Sequence, residues 1–196
     1  MNRLKGNYQG NGIRAFWWAG DHNFGDYLTP MLLSYHGFTP ILSSPMDAQF
    51  IGAGSILHCF ENNNDWEGVV FGTGIIAENI YRRFKKANIL AVRGRLTRDH
   101  IFAPLTTPLG DLGLLISDTV KVRAKKKYPI GLVPHYEDLG NPRIRALHRR
   151  FRHNIKIINV LRHPSKVIYD IDQCECILST SLHGIVVADA LEIPNR

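Results

Sequence analysis

Apolar runs that alternate with helix-forming stretches constrain the fold of this 196-residue chain more than any other feature. The apolar runs predict strands at residues 13–18, 48–51, 69–71, 89–92, 130–133, 155–160 and 176–179. Helices are predicted at residues 30–36, 75–86, 95–101, 142–152 and 182–191. Such alternation is typical of an α/β protein, in which helices cover a parallel sheet.

The distribution of basic residues divides the chain into two parts. Residues 1–120 carry equal numbers of acidic and basic side chains, so the formal net charge of +7 arises entirely from residues 121–196. The lysines and arginines at 121–127 have few apolar neighbours, which indicates a solvated linker. We therefore predict two domains, at residues 1–124 and 125–196. The second is expected to be truncated, because its last helix would normally lead into another strand.

A second basic stretch lies within the predicted helix at 142–152. Its arginines are Arg143, Arg145, Arg149, Arg150 and Arg152. They would form a ridge that attracts anionic ligands, or simply the solvated face of a helix. The interleaved aromatic residues of a single-stranded nucleic-acid groove are missing, so no nucleic-acid partner is expected.

Compartment and metal content follow from what the sequence lacks. It has no apolar run of about eighteen residues, as a membrane-spanning helix requires, and its first residues are polar and glycine-rich. A cytoplasmic location is therefore expected. Cys174 and Cys176 have no second pair of ligands beside them, so no metal site is expected.

Glycine or small polar residues follow several predicted strands. The segments are Ala19-Gly20-Asp21, Gly52-Ala53-Gly54-Ser55, Gly72-Thr73-Gly74 and Ser179-Thr180-Ser181. Open parallel sheets bind ligands beyond the carboxyl ends of their strands, where glycine lets backbone amides approach a charged group. Glycine also suits tight turns that bind nothing. The functional site is expected at this edge.

Three polar positions at this edge have a chemical and a structural interpretation each. Ser181-Leu182-His183-Gly184 opens a helix, and it is either an anion site or a capped helix start with an incidental histidine. Asp26 would cap a helix or act as a general base toward a sugar hydroxyl. Arg93 would grip a carboxylate or phosphate with two donors, or form a surface salt bridge.

Seven short motifs along the chain resemble those of the polysaccharide pyruvyl transferases, in their order and rough spacing. They are Asn23-Phe24-Gly25-Asp26-Tyr27-Leu28, Gly52-Ala53-Gly54-Ser55, Gly72-Thr73-Gly74, Val92-Arg93-Gly94, Gly110-Asp111-Leu112, Val133-Pro134-His135 and Ser181-Leu182-His183-Gly184. The resemblance is strongest to the bacterial exopolysaccharide branch. Many family members have arginine at the position of Ser181, so one phosphate-binding cation is absent here.

The resemblance implies both an architecture and a reaction. It implies two Rossmann-like domains that face each other across a cleft, as in the B-type glycosyltransferases. It also implies transfer of the pyruvyl group of phosphoenolpyruvate to a hexose of an exopolysaccharide or lipid-linked glycan, as a ketal. Phosphoenolpyruvate would be the donor substrate and no cofactor is expected. A lipid-linked acceptor would place the protein at the inner surface of the membrane.

Such a reaction needs an anion clamp, a proton for the methylene carbon and a base for the attacking hydroxyl. Arg93 and His183 are predicted to form the clamp. Further substrate-binding residues are predicted at Ser181, Leu182, Gly184, Asn23 and Gly54. His58 or His135 would supply the proton, since imidazole titrates near neutral pH. Asp26 is the predicted base.

Two other functions fit the same residues. A glycosyltransferase that uses a nucleotide-sugar would share the fold and the phosphate site at a helix start. An inactive, truncated member of the family that acts as a binding subunit would fit the early end of the chain and the missing cation.

Overall fold

The computed structural model describes residues 11–60, 65–77 and 79–196, and these form a mixed α/β structure with parallel sheets. The strands are β1 Gly12–Phe16, β2 Thr39–Leu42, β3 Phe50–Ile51, β4 Val69–Thr73, β5 Asn88–Val92, β6 Tyr128–Val133, β7 Ile155–Ile157 and β8 Cys174–Ser179. The α-helices are α1 Leu28–Tyr35, α2 Arg95–His100, α3 Ile116–Thr119, α4 Pro142–Arg150, α5 Pro164–Asp172 and α6 Leu182–Ala190. The predicted α/β class is confirmed.

The first sheet contains five parallel strands in the order β2-β1-β3-β4-β5. Strand β2 lies on one side of β1, and strands β3, β4 and β5 follow in order on the other side of β1. The order therefore reverses between β1 and β3, where the loops that follow these two strands diverge. In open α/β sheets this reversal creates a crevice at the carboxyl ends of the strands.

The second sheet contains three parallel strands in the order β7-β6-β8. Strand β6 pairs with β8 from Tyr128 opposite Cys174 to Val133 opposite Ser179. The last residues of the chain lie beside β8, where Ile177 pairs with Asn195 in a parallel bridge. Helix α6 returns from the end of β8 and packs against a short 3₁₀ helix at Leu112–Leu115 in the first half of the chain.

One buried apolar cluster includes residues from both halves of the chain. Phe24 and Leu28 from the first half lie in it together with Ile177 and Val187 from the second. A second cluster, on the first sheet, is largely aromatic and includes Phe60, Trp66 and Phe84. The shared cluster holds the carboxyl ends of both sheets at fixed positions, which is what places the site. The boundary after residue 124 stays a prediction.

The predicted helix at 75–86 is wrong. Ile75 forms an antiparallel bridge with Ile56, and the backbone N–H of Arg82 donates to the carbonyl of His100. The Arg82 Nε group also donates to the carbonyl of Phe60 at 2.6 Å. Phe84 packs into the aromatic cluster. These tertiary contacts use the backbone groups that a helix would pair internally, and they override local helix propensity.

The basic segment at 121–127 is exposed apart from Ala124, as predicted, but two of its cations are tied to the buried carboxylate of Asp172. Arg123 Nε donates to Asp172 Oδ1 at 2.7 Å, and the Ala124 N–H donates to Asp172 Oδ2 at 2.5 Å. Lys126 Nζ donates to the carbonyls of Asp172 and Cys174. The segment is thus fastened to the end of α5.

Candidate functional site

A cavity of about 480 Å³ lies at the carboxyl ends of strands from both sheets. Five segments line it: the loop after β1, the turn after β3, the segment after β4, the loop after β6 and the start of α6. The lining residues are Trp18, Asp21, Asn23, Asp26, Ser55, Ile56, His58, Ile76, His135, Tyr136, Glu137, Ser181, Leu182 and His183. The cavity therefore occupies the crevice that the reversal between β1 and β3 creates.

Most of the site residues predicted from sequence lie in the wall of this cavity. The structure brings together Asn23, Asp26, His58, His135, Ser181, Leu182 and His183. Arg93, Gly54 and Gly184 lie behind the wall instead. A Cβ atom on Gly184 would meet Ser179 Oγ at 2.3 Å, and one on Gly54 would meet Asp26 Oδ1 at 3.0 Å. These two glycines allow close packing beside the wall residues.

The start of α6 opens into the cavity without a side-chain cap. Ser181 is the N-cap residue, and its side chain accepts no hydrogen bond from the first turn. The N–H groups of Gly184 and Ile185 donate to the Ser181 carbonyl. The amides of Leu182 and His183, which belong to the first turn, have no partner within the helix. With the positive end of the helix dipole, they suit an anion.

His183 is buried beneath this helix start. Its ring contacts Phe24 edge to face, with centroids 6.4 Å apart, and a Cβ atom on Gly25 would meet its Nδ1 at 2.1 Å. Burial lowers the pKa of His183 to about 4, while the nearby carboxylate of Asp111 opposes this shift. The imidazole is therefore neutral near pH 7, and it offers a hydrogen bond rather than a positive charge.

Arg93 forms a buried ion pair with Asp111. The Arg93 Nε group lies 3.0 Å from Asp111 Oδ2, and Arg93 Nη1 donates to Ser55 Oγ at 2.7 Å. His183 Nε2 lies 3.9 Å from the same Asp111 oxygen. Burial lowers the pKa of the Arg93 guanidinium, and the Asp111 carboxylate opposes that shift. Arg93 thus supports Ser55 in the wall and brings a positive charge close behind it.

Asp26 is half-buried in the wall, and it does not cap α1. The helix begins at Leu28 with Tyr27 as its N-cap residue. The Asp26 carboxylate accepts a hydrogen bond from Asn23 Nδ2 at 3.1 Å. Burial raises the pKa of Asp26 from 3.8 to about 6, although the Asn23 hydrogen bond and the Arg93 charge lower it in part. A carboxylate with such a pKa takes and releases protons near neutral pH.

The two other histidines of the wall differ in their partners. His58 Nδ1 lies 2.8 Å from the carbonyl of Ser55, and its Nε2 lies 3.5 Å from Cys59 Sγ. His135 lies 3.5 Å from a carboxylate oxygen of Glu137, and its ring rests against Tyr136. Both nitrogens of His58 therefore have protein neighbours, whereas the His135 side chain has one ion-pairing partner and is 39% exposed.

Seven residues of the wall were not predicted as site residues. Asp21 and Ser55 lie within segments that were recognised, whereas Trp18, Ile56, Ile76, Tyr136 and Glu137 lie outside them. Most of these five directly adjoin a motif that was recognised, so extending each motif by one or two residues would have found them. Ile76 lies in the segment predicted as a helix, and no local signal would have placed it. Asp111 belongs to a recognised motif, yet its contacts with Arg93 and His183 depend on the tertiary fold.

Among the described residues, no group of three or more histidine, cysteine, aspartate or glutamate side chains is arranged to hold a metal ion. The described helices also include none that is both long and apolar enough to cross a membrane.

The fold and the cavity define an α/β protein whose site lies where the carboxyl ends of its parallel strands meet. The family model described as polysaccharide pyruvyl transferase matches residues 23–196. The chain belongs to this family, as its motifs predicted.

Two curated relatives are similar to the chain. The succinoglycan biosynthesis protein ExoV of Rhizobium meliloti (strain 1021) is 24% identical over 188 residues, which are 93% of this chain and 58% of that protein. The uncharacterized protein L143 of Acanthamoeba polyphaga mimivirus is 27% identical over 166 residues, which are 74% of this chain and 50% of that protein. The chain thus spans about half the length of these relatives. No solved structure matches it.

Proposed function

We propose that the chain transfers the pyruvyl group of phosphoenolpyruvate to a hexose of an exopolysaccharide or lipid-linked glycan, and that the product is a ketal. Family membership and the similarity to a succinoglycan biosynthesis protein support this reaction class. The observation that carries the proposal is the uncapped start of α6, which opens into the cavity that also holds Asp26. One cavity thus offers donors for an anion and a base for a hydroxyl.

The donor would bind through neutral groups at the start of α6. None of the described residues in the cavity wall is a lysine or arginine. The amides of Leu182 and His183 would therefore hold the phosphate, together with the Ser181 hydroxyl and the neutral His183 ring. Arg93 would add a positive field from behind Ser55 without touching the ligand, because its guanidinium is engaged by Asp111 and Ser55.

The chemistry would proceed by proton transfers at the enol ester. A proton adds to the methylene carbon, and the sugar oxygen then bonds to the adjacent carbon while Asp26 accepts the hydroxyl proton. The bond to the phosphate oxygen breaks, and a second sugar hydroxyl bonds to the same carbon and gives its proton to the departing phosphate, which yields the ketal and hydrogen phosphate. His135 is better suited than His58 to supply the first proton, because fewer protein groups occupy its ring.

The same proposal covers the finer architecture and the location. We place the two parallel sheets in Rossmann-like halves that face each other as in the B-type glycosyltransferases, with the donor between their carboxyl edges. The reaction would take place in the cytoplasm, where a lipid-linked acceptor is presented at the inner surface of the membrane.

The test is phosphate release from phosphoenolpyruvate in the presence of a soluble acceptor glycoside. The Asp26→Asn variant keeps the shape of the side chain but removes the base, so its kcat is expected to fall about 10²- to 10⁴-fold. Asp118→Asn is the matched control, because Asp118 is an exposed carboxylate that lies outside the cavity wall. Its activity should stay close to that of the unmodified protein.

Three results would contradict the proposal. Equal turnover in the Asp26→Asn variant would remove the assigned base. Stabilisation by a nucleotide-sugar, with none by phosphoenolpyruvate, would instead identify a glycosyltransferase. Binding of phosphoenolpyruvate without turnover on any pyruvylatable glycoside would instead identify an inactive binding subunit.

A further inference from the structure

Helix α4 is a short basic helix that the rest of the described structure covers only in part. It comprises Pro142–Arg150, and none of its residues is fully buried. Its main packing partner is β7, the edge strand of the second sheet. A helix on a sheet normally buries one apolar face completely. The incomplete burial of α4 therefore calls for an explanation.

The apolar side chains of this segment share one face and stay partly exposed. Ile144, Leu147 and Phe151 are spaced three and four residues apart, which aligns them along the helix. Leu147 is 39% exposed and Phe151 is 40% exposed. Large apolar side chains at the surface of a charged helix are characteristic of a helix that rests on an apolar boundary.

Arginines flank this apolar stripe on both sides. On a helical projection, Arg143 and Arg150 fall on one flank and Arg145 falls on the other, whereas Arg149 lies on the face opposite the stripe and Arg152 follows the end of the helix. All five are exposed, and none forms an ion pair with a carboxylate among the residues that the structure describes. Within the described part of the chain, Arg152 Nε donates a hydrogen bond to His153, and the Arg150 guanidinium lies over the Phe151 ring. The ridge is thus an uncompensated positive charge.

We propose that this ridge, Arg143–Arg152 with its apolar stripe, binds the anionic surface of a lipid bilayer. Long arginine side chains can reach phosphate headgroups on both sides while Leu147 and Phe151 enter the boundary beneath them. Each cation near an anionic leaflet adds to the affinity. A nucleic acid would satisfy the charges but would leave the apolar stripe without a partner.

The position of α4 connects the ridge with the cavity. The helix follows the loop that carries His135, Tyr136 and Glu137, which line the cavity. Its first turn therefore lies at the same edge of the second sheet as the site. A bilayer bound by the ridge would stand beside the loop that closes one wall of the cavity, where a lipid-linked substrate would approach.

Sedimentation of the purified chain with vesicles tests the proposal. Vesicles of equimolar phosphatidylglycerol and phosphatidylcholine are compared with vesicles of phosphatidylcholine alone. Binding to the anionic vesicles should exceed binding to the neutral ones and should weaken as salt is added. The Arg143→Gln/Arg145→Gln variant, which removes one arginine from each flank, should lose roughly fivefold in partition coefficient for each arginine removed.

The matched control is Lys125→Gln/Lys127→Gln, which removes the same charge from exposed positions in the segment before β6. It should bind the anionic vesicles much more tightly than the arginine variant does. Equal losses in the two variants would mean that only net charge matters, and equal binding to both kinds of vesicle would also overturn the proposal. Tighter binding to a DNA or RNA duplex than to anionic vesicles would identify a nucleic-acid surface instead.

A further measurement separates this proposal from the pyruvyl-transfer assignment. Phosphate release with a soluble glycoside requires no bilayer, so the arginine variant should turn over like the unmodified chain. Vesicle binding without turnover would support bilayer binding by the ridge and contradict only the proposed pyruvyl transfer. Turnover without vesicle binding would contradict only the proposal that the ridge binds a bilayer.

Discussion

Asp26 and His183 line the same cavity, yet burial shifts their proton affinities in opposite directions. Burial disfavours the charged form of each group, so it raises the pKa of the acid and lowers that of the base. The pKa of Asp26 rises to about 6 and that of His183 falls to about 4. Sequence alone predicted both residues as parts of the site. It did not predict a neutral histidine, because the charge state depends on packing against Phe24 and Gly25.

These two shifts predict how stability depends on pH. Asp26 binds a proton more tightly in the folded state, so its contribution to stability grows as the pH falls from about 6 toward 3.8. His183 binds a proton more tightly in the unfolded state, so its contribution is lost as the pH falls from 6.5 toward 4. In the unmodified protein the two effects largely offset each other.

The Asp26→Asn variant should isolate the contribution of Asp26 to this pH dependence. At pH 7 the variant no longer buries a charged carboxylate, so we expect it to be more stable by about 1–3 kcal/mol. That advantage should disappear by about pH 4, where Asp26 of the unmodified protein is protonated as well. Urea unfolding of both proteins between these pH values measures the difference. A difference in stability that does not vary with pH would contradict the assigned shift.

Arg93 shows where prediction from sequence reaches its limit for a single residue. An arginine at the end of an apolar strand was predicted to grip the ligand directly. The structure places it behind Ser55 in an ion pair with Asp111, so its predicted role as a direct ligand contact is replaced by a proposed supporting one. Which charges lie near each other in the fold cannot be read from spacing along the chain.

Among the secondary-structure elements, the buried apolar strands were the most predictable from sequence. Apolar runs located β1 and β3–β8 to within a few residues. Strand β2 was missed, since it contains Pro40 and lies at the sheet edge, where proline is tolerated and apolar patterning is weak. Helix α5 was missed as well, although Pro164 at its start is a recognisable signal.

Residues 121–127 are held to α5 through the carboxylate of Asp172. Removal of this carboxylate should therefore lower the free energy of unfolding strongly. Asp172 is 2% exposed and accepts hydrogen bonds from Arg123 and from the backbone of Ala124. The Asp172→Ala variant leaves these donors without an acceptor, and we expect a loss of about 3 kcal/mol in the free energy of unfolding. Denaturant unfolding measures the loss.

Asp118→Ala is the control for this element, because Asp118 is an exposed carboxylate shortly before the same segment. Its effect should stay within about 0.5 kcal/mol, as for most surface substitutions. Equal effects of the two substitutions would show that the segment is not held by Asp172.

In the molecule as a whole, the carboxyl ends of two parallel sheets meet at one cavity. Motif order predicted the family, and the glycine-rich turns predicted the edge at which the site lies. The shared apolar cluster that joins the two halves was not predictable, because apolar periodicity shows which face of an element is buried but not what covers it.

Titration of phosphoenolpyruvate into the Leu182→Pro variant tests directly whether the start of α6 binds the donor. Leu182 is the first residue of α6, where proline fits the helix but removes one amide donor. The structure of the helix should persist, and we expect roughly tenfold weaker binding than in the unmodified chain. Leu182→Ala keeps the amide and should bind nearly as well as the unmodified chain. Equal affinity in the proline variant, or no binding by the unmodified chain, would contradict an anion site at the start of α6.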